Sequence, residues 1–216
     1  MMNRAKSILA TAGISLAIAF SFSCSKKNKG TSEPYNLCDN NTALIHGSLT
    51  DSRDSKRYKT IKIGSQIWMA ENLSYNADGS VCYDNSESHC DTYGRLYSWD
   101  AAMKDCPKGW HLPSYAEWTK LTDYIGGAKT AGVKLRAANG WSENGNGMDC
   151  FDFSALPGGD SNGNNFYNSG YYGFWWSSTE GYASYAYSHG TGYYGYEVYK
   201  GLNLKTNRIS VRCVQD

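Results

Sequence analysis

Seven cysteines, four histidines and a scatter of carboxylates are the residues of this 216-residue chain whose types could do chemistry. Nucleophilic or metal-assisted catalysis needs such groups at motif spacing, and they do not stand at it. There is no His-Glu-x-x-His, no Gly-x-Ser-x-Gly and no phosphate-cradling glycine loop. Glu143, Asp149, Asp152, Asp160, Glu180 and Glu197 include enough carboxylates for the pair that glycoside hydrolysis requires. Their setting in polar loops suits solvated side chains, so no catalytic residue is assigned and a carboxylate-based glycan hydrolase ranks below a binding role. Asp160-Ser161-Asn162-Gly163-Asn164 offers oxygen ligands to calcium, but its glycine is misplaced for an EF-hand loop and no Glu closes it. No cofactor is therefore expected, calcium included. Cys82, His89 and Cys90 would begin a zinc site only with a second Cys/His pair at ligand spacing, and without one no metal is expected.

Cysteine usage points to an oxidising compartment. Arg4 and Lys6 precede a nearly charge-free apolar run over residues 7–22, the layout of a signal peptide, and the run is too short to span a bilayer comfortably. Ser21-Phe22-Ser23-Cys24 resembles a lipobox, which implies cleavage after residue 23 and acylation of Cys24. Two or three acyl chains there would anchor the chain stably to a membrane. The polar residues 25–34 read as a tether, and 24–57 as lipidated cysteine, tether and lead-in, with little to bury between Asp51 and Arg57. The expected location is the cell envelope, in the outer membrane, facing the periplasm or the surface. Six cysteines remain, Cys38, Cys82, Cys90, Cys106, Cys150 and Cys213, and three disulfides are the default reading. Roughly 15 pairings are formally open, with a local Cys82–Cys90 staple the simplest.

Removing residues 1–23 takes away Arg4 and Lys6, leaving 19 basic against 20 acidic side chains. That balance gives no footprint for nucleic acid. The mature chain has single-domain length. With 18 Tyr, 7 Trp and 23 Gly it suits a turn-rich structure held by aromatics.

The elements that would position any site begin at Tyr58. Alternation through Tyr58, Thr60 and Ile61-Lys62-Ile63, a Gly64-Ser65 turn and a second extended run from Gln66 to Met69 predict a hairpin. Residues 96–106 and 114–125 are the two predicted helices. In the second, Ser114 and Glu117 make a capping box ahead of Trp118, Leu121 and Ile125 on one face. Glu117 is thereby given a structural role, and His111 reads as a half-buried, satisfied histidine. Short strands joined by loops are expected from residue 136 to 199. A closing strand over residues 208–214 should carry Ile209, Val211 and Cys213 on one face.

Several segments, in order, resemble the Fibrobacter succinogenes major paralogous domain. They are Gln66-x-Trp68-Met69-Ala70-Glu71-Asn72-Leu73, Gly94-Arg95-Leu96-Tyr97, Cys106-Pro107-x-Gly109-Trp110-His111-Leu112-Pro113-Ser114, Phe153-Ser154-Ala155-Leu156-Pro157-Gly158-Gly159, Trp176-Ser177-Ser178-Thr179 and Ser210-Val211-Arg212-Cys213-Val214. The likeness covers residues 58–216 and implies no established activity. More distantly, Trp99-Asp100-Ala101-Ala102, Cys106, Glu117-Trp118 and the closing segment look like the skeleton of C-type-lectin-like domains and of the formylglycine-generating sulfatase-modifying fold. That resemblance implies a compact α+β domain with two helices, short antiparallel sheets and long irregular loops. It also implies a Cys106–Cys213 disulfide, with Cys38–Cys150 as the remaining pair. The calcium-dependent sugar motifs of C-type lectins, Glu-Pro-Asn or Gln-Pro-Asp with Trp-Asn-Asp, are absent from the domain.

Between Tyr167 and Tyr199 the chain places ten tyrosines with Phe174, Trp175 and Trp176 among glycines and serines. Such aromatics give amphipathic recognition surfaces at low entropic cost. In an extended doublet one ring of each pair faces outward. Tyr171, Tyr172, Trp175, Tyr193 and Tyr194 are therefore the expected ligand-binding residues, while Trp176 is assigned to the core. The functional expectation is a non-catalytic lectin-like module that recognises a polysaccharide or a surface partner, with a structural or protein-interaction module of the envelope as the alternative.

Overall fold

A computed structural model describes Cys38 and residues 43–216. The segments expected to be a signal peptide, a lipidated Cys24 and a tether lie outside the described residues. Among the described residues, no helix is long and apolar enough to cross a membrane.

Strands β1 (Ile45–Thr50), β2 (Arg57–Ile63) and β3 (Gln66–Met69) form an antiparallel meander. Tyr58, Ile61 and Ile63 of β2 are buried, as are Trp68 and Met69 of β3. Gly64, at φ 60°, opens the two-residue turn, a conformation only glycine adopts without a steric penalty. The hairpin is thus as expected, but the domain starts earlier than residue 58, because β1 pairs with β2 along its whole length. The charged stretch after β1 also buries a side chain: Asp51 is 1% exposed. Arg53 donates to it through Nε (2.9 Å) and Nη2 (2.6 Å), and these bonds outweigh burial in holding the carboxyl below its usual pKa. An ion pair between near neighbours has the composition of a solvated turn, which is why the sequence reads it as one, while Arg53 also donates to Asp105 O at 2.8 Å.

Strand β4 (Ser80–Val81) leads through a 3-10 turn at Tyr83–Asn85 into α1 (Glu87–Tyr93). Then come β5 (Leu96–Tyr97), α2 (Trp99–Ala102), β6 (Trp110–His111), α3 (Tyr115–Tyr124) and α4 (Ala128–Leu135). The helix expected over 96–106 is reduced to the four residues of α2, because Leu96 and Tyr97 are drawn into a sheet between two partners. Tertiary pairing overrides local propensity there. Helix α3 forms as expected: Glu117 N donates to Ser114 Oγ (3.2 Å), and Ser114 N donates to Glu117 Oε2 (2.7 Å). Replacing Ser114 with Ala should cost about 1 kcal/mol, read as a lowered urea midpoint with unchanged slope.

The C-terminal half adds the small hairpin β7 (Asp160–Ser161) and β8 (Phe166–Tyr167), then the long β9 (Tyr172–Tyr182), β10 (Tyr185–Gly192) and β11 (Tyr199–Leu204), and finally β12 (Ile209–Ser210) and β13 (Val214–Gln215). One sheet runs β1-β2-β3-β13-β6 and the other β11-β10-β9-β12-β5-β4. The expected closing strand is therefore split, with β12 in one sheet and β13 in the other. Between them Val211 O accepts from Leu73 N (2.9 Å) and Cys213 O from Met69 N (3.0 Å), so the crossing stays tied to the segment after β3. Ile209, Val211 and Cys213 do share one core cluster, with Tyr58, Met69, Leu73, Tyr97 and Trp176.

A second core gathers Ile61, Trp68, Trp118, Leu121, Phe153 and Trp175. The neighbouring tryptophans of β9 thus serve opposite faces, as strand alternation requires. Trp68 lies 4.8 Å from Trp118 and 5.9 Å from Phe153, ring centre to ring centre, so aromatics supply the core volume that the scarce aliphatics do not. Arg212, fully buried, donates to Asn72 Oδ1 through Nη2 (3.0 Å) and to Ser154 O (3.1 Å). Asn72 Oδ1 also accepts from Trp175 Nε1 at 2.9 Å, linking the two sheets through one amide.

The three disulfides are Cys82–Cys90, Cys106–Cys213 and Cys38–Cys150, with Cα atoms 5.1, 5.9 and 5.2 Å apart. The structure is an α+β domain dominated by antiparallel sheet.

Candidate functional site

Antiparallel pairing of β9 and β10 places Tyr172 opposite Gly192, so the start of one strand and the end of the other lie side by side. Tyr193 N donates to Tyr171 O at 2.8 Å, extending the pairing one step further. Two tyrosine doublets remote in sequence are thereby brought into one cluster. Tyr171 and Tyr193 are 5.3 Å apart at 83°, Tyr193 and Tyr194 5.0 Å at 83°, and Tyr172 and Tyr194 6.2 Å at 90°. These are edge-to-face contacts, the arrangement that ring quadrupoles favour. Tyr171 and Tyr194 are 40% and 66% exposed, while Tyr172 and Tyr193 are half-buried.

The cluster has a rigid backing. The Tyr172 ring stacks on Phe174 at 5.9 Å and 7°. It also lies over Gly192, where an added Cβ would come within 2.8 Å of the ring. The loop that carries Tyr193 and Tyr194 is pinned from beneath by Arg136, whose Nη1 donates to the carbonyls of Gly192 and Gly195, the latter at 3.0 Å. Arg136 is buried, and burial lowers its pKa without a carboxylate beside it. A hydrogen bond with the Tyr194 phenol, more than burial, pushes the Tyr172 pKa up to about 12, so the Tyr172 hydroxyl stays protonated at neutral pH.

Four of the five expected ligand residues are therefore together. The fifth, Trp175, is 3% exposed and donates through Nε1 to Asn72, so it belongs to the core. β9 is central in its sheet, and its middle, Trp175 to Ser177, is buried while both of its ends reach the surface. Tyr196, 60% exposed in the same loop, was not among the expected residues, although the Tyr194-Gly195-Tyr196 pattern continues the doublet. Arg136 had no sequence signal, since its partners are backbone carbonyls far along the chain.

Most of the other chemistry-bearing residues have structural partners. Asp149 accepts from Ser154 N and Oγ, both at 2.7 Å. Asp160 accepts from Asn168 at 2.6 Å within the β7–β8 hairpin, Glu180 pairs with Lys205, and Asp152 lies 3.3 Å from His46. Glu143 and Glu197 are exposed. The sulfurs of Cys82 and Cys90 are taken by their disulfide, and His89 Nδ1 is 2.9 Å from Tyr83 O. His111 sits between carboxylates, with Nε2 2.8 Å from Glu117 and Nδ1 2.7 Å from Asp216. Burial opposes its protonation, but those two bonds outweigh it and raise its pKa. It ties the cap of α3 to the end of the chain.

No curated protein and no solved structure matches this sequence. The description of the Fibrobacter succinogenes major domain matches residues 61–215, the span that holds most of both sheets and the whole tyrosine cluster. The chain belongs to the Fibrobacter succinogenes major domain family.

Proposed function

We propose that the chain is a lipoprotein of the bacterial cell envelope, anchored through Cys24, whose domain binds polysaccharide non-catalytically on the surface formed by Tyr171, Tyr172, Tyr193 and Tyr194. The observation that carries this reading is the convergence of the two doublets on one rigid, partly exposed patch. Exposed aromatic faces stack on the C–H faces of sugar rings, and phenol hydroxyls donate to and accept from sugar hydroxyls. Rings already held by Phe174 and Arg136 lose little freedom on binding, which favours affinity. The C-type-lectin-like architecture expected from the resemblance fits a two-sheet α+β domain with recognition loops, and supports the reading by analogy alone.

Tyr171→Ala and Tyr193→Ala should each weaken retention on cellulose or another insoluble polysaccharide by roughly five- to tenfold, the equivalent of about 1 to 1.4 kcal/mol per ring contact. Depletion isotherms with the full chain in detergent measure this. Absence of retention by a folded, disulfide-bonded protein, together with capture of a specific envelope protein, would replace the proposal with a protein-interaction module.

A further inference from the structure

A cleft of about 600 Å³ lies between strands β1 and β2, the end of α1 and the segment around Ser154. None of the four clustered tyrosines lines it. Its rim carries charges of both signs: Lys56 and Lys59 on the basic side, Glu71, Asp91 and Asp152 on the acidic. Two ammonium groups against three carboxylates leave the rim close to balanced, so it favours no strongly charged ligand.

Three of these groups, Glu71, Lys56 and Asp152, are already held in place. Glu71 Oε2 accepts from the Lys59 backbone N–H at 2.6 Å, Lys56 Nζ donates to Ser74 Oγ, and Asp152 is 3.3 Å from His46 Nε2. Beyond those bonds the carboxylates keep acceptor capacity and the ammonium groups keep donors. Tyr93 and Leu156, both half-buried, add apolar wall. The floor includes Asn72, whose amide oxygen is bound by Arg212 and Trp175 from the core side, so it does not give way.

Donors and acceptors together in one near-neutral cleft with an apolar wall match a ligand whose every polar group both donates and accepts while its C–H face is apolar. We infer that this cleft is a second carbohydrate subsite, one that takes a neutral sugar unit through its hydroxyls. The inference rests on the polysaccharide-binding reading of the domain and divides the work: the cleft selects a sugar unit, and the tyrosine patch holds the polymer.

The test uses the full chain in detergent and soluble neutral tetrasaccharides (cello-, xylo- and manno-), with a tetragalacturonate as charged control. Asp152→Asn removes a charged acceptor at an exposed position, and Thr92→Trp places a bulky ring at the cleft mouth from the exposed face of α1. At least one neutral tetrasaccharide should bind saturably, and either variant should weaken it tenfold or more with unchanged thermal midpoint. Tyr171→Ala should leave that binding within about twofold while still reducing retention on insoluble polymer. Soluble binding that ignores both cleft variants, that falls with Tyr171→Ala alone, that prefers the charged control or that is absent would overturn the inference. If the tyrosine variants still lower polymer retention in any of those cases, the polysaccharide reading survives without this subsite. If they do not, both fall.

Discussion

Replacing Cys106 and Cys213 together with Ala should lower stability by about 4 to 5 kcal/mol, the cost expected from chain entropy for a loop of this size. The two residues are 107 apart in sequence and their bond joins the segment after α2 to the crossing between β12 and β13. Without it the unfolded chain regains the freedom of that loop, while the folded domain loses a tie exactly where the last segment passes from one sheet to the other. Cys82–Cys90 closes only 8 residues, so the same reasoning gives about 2.5 kcal/mol for its removal. Denaturant midpoints of the two double variants under non-reducing conditions should differ by about a factor of two in free energy. Equal losses would mean that loop closure is not what these bonds contribute.

Acidification should destabilise the domain steeply through His189. This residue of β10 is fully buried, its ring stacked on Trp118 at 5.1 Å and 18° and lying 5.5 Å from Tyr115. Among the described residues neither ring nitrogen has a hydrogen-bond partner. Burial, with a smaller push from Lys200, lowers its pKa to about 3. Because the folded pKa is depressed, the unfolded chain takes up the proton first. The histidine's contribution is fully present above the unfolded pKa near 6.5 and is lost as pH falls toward 3. At 1.36 kcal/mol per unit this amounts to about 2 kcal/mol by pH 5 and about 4 to 5 kcal/mol by pH 3. His189→Leu should flatten the stability profile below pH 6.5 by that amount. At pH 7 it should be neutral or mildly stabilising, since it removes two unpaired buried polar atoms. A variant with the acid slope of the parent would contradict this account.

What was legible in the sequence was local or chemically constrained. The Ser114–Glu117 capping box is four residues of hydrogen-bonding chemistry, and the β2–β3 hairpin is alternation around a glycine turn. Both form as read. Cys82–Cys90 followed from its short spacing, the other two cysteine pairs from the resemblance, and the tyrosine doublets from the rule that adjacent extended side chains face apart. What escaped the sequence was decided by long-range partners. Leu96 and Tyr97 have helical neighbours in sequence but strand neighbours in space. Trp175 has the composition of a recognition loop but sits mid-sheet against Asn72 and Trp118. β1 looked like an unstructured lead-in because its side chains are largely exposed and its order comes from backbone pairing with β2. Arg136 binds backbone carbonyls of residues 56 and 59 positions away, which no motif encodes.

The measurement that bears most directly on the polysaccharide reading is tyrosine nitration of the full chain, free and bound to insoluble polysaccharide, resolved by peptide mass mapping. Tyr182 is 68% exposed, lies at the far end of β9 from the cluster and serves as the internal control. If the cluster is the binding surface, Tyr171 and Tyr194 lose most of their reactivity on binding while Tyr182 keeps its own. Retention on the polymer with Tyr171 and Tyr194 as reactive as in the free protein would place the binding surface elsewhere and contradict the account.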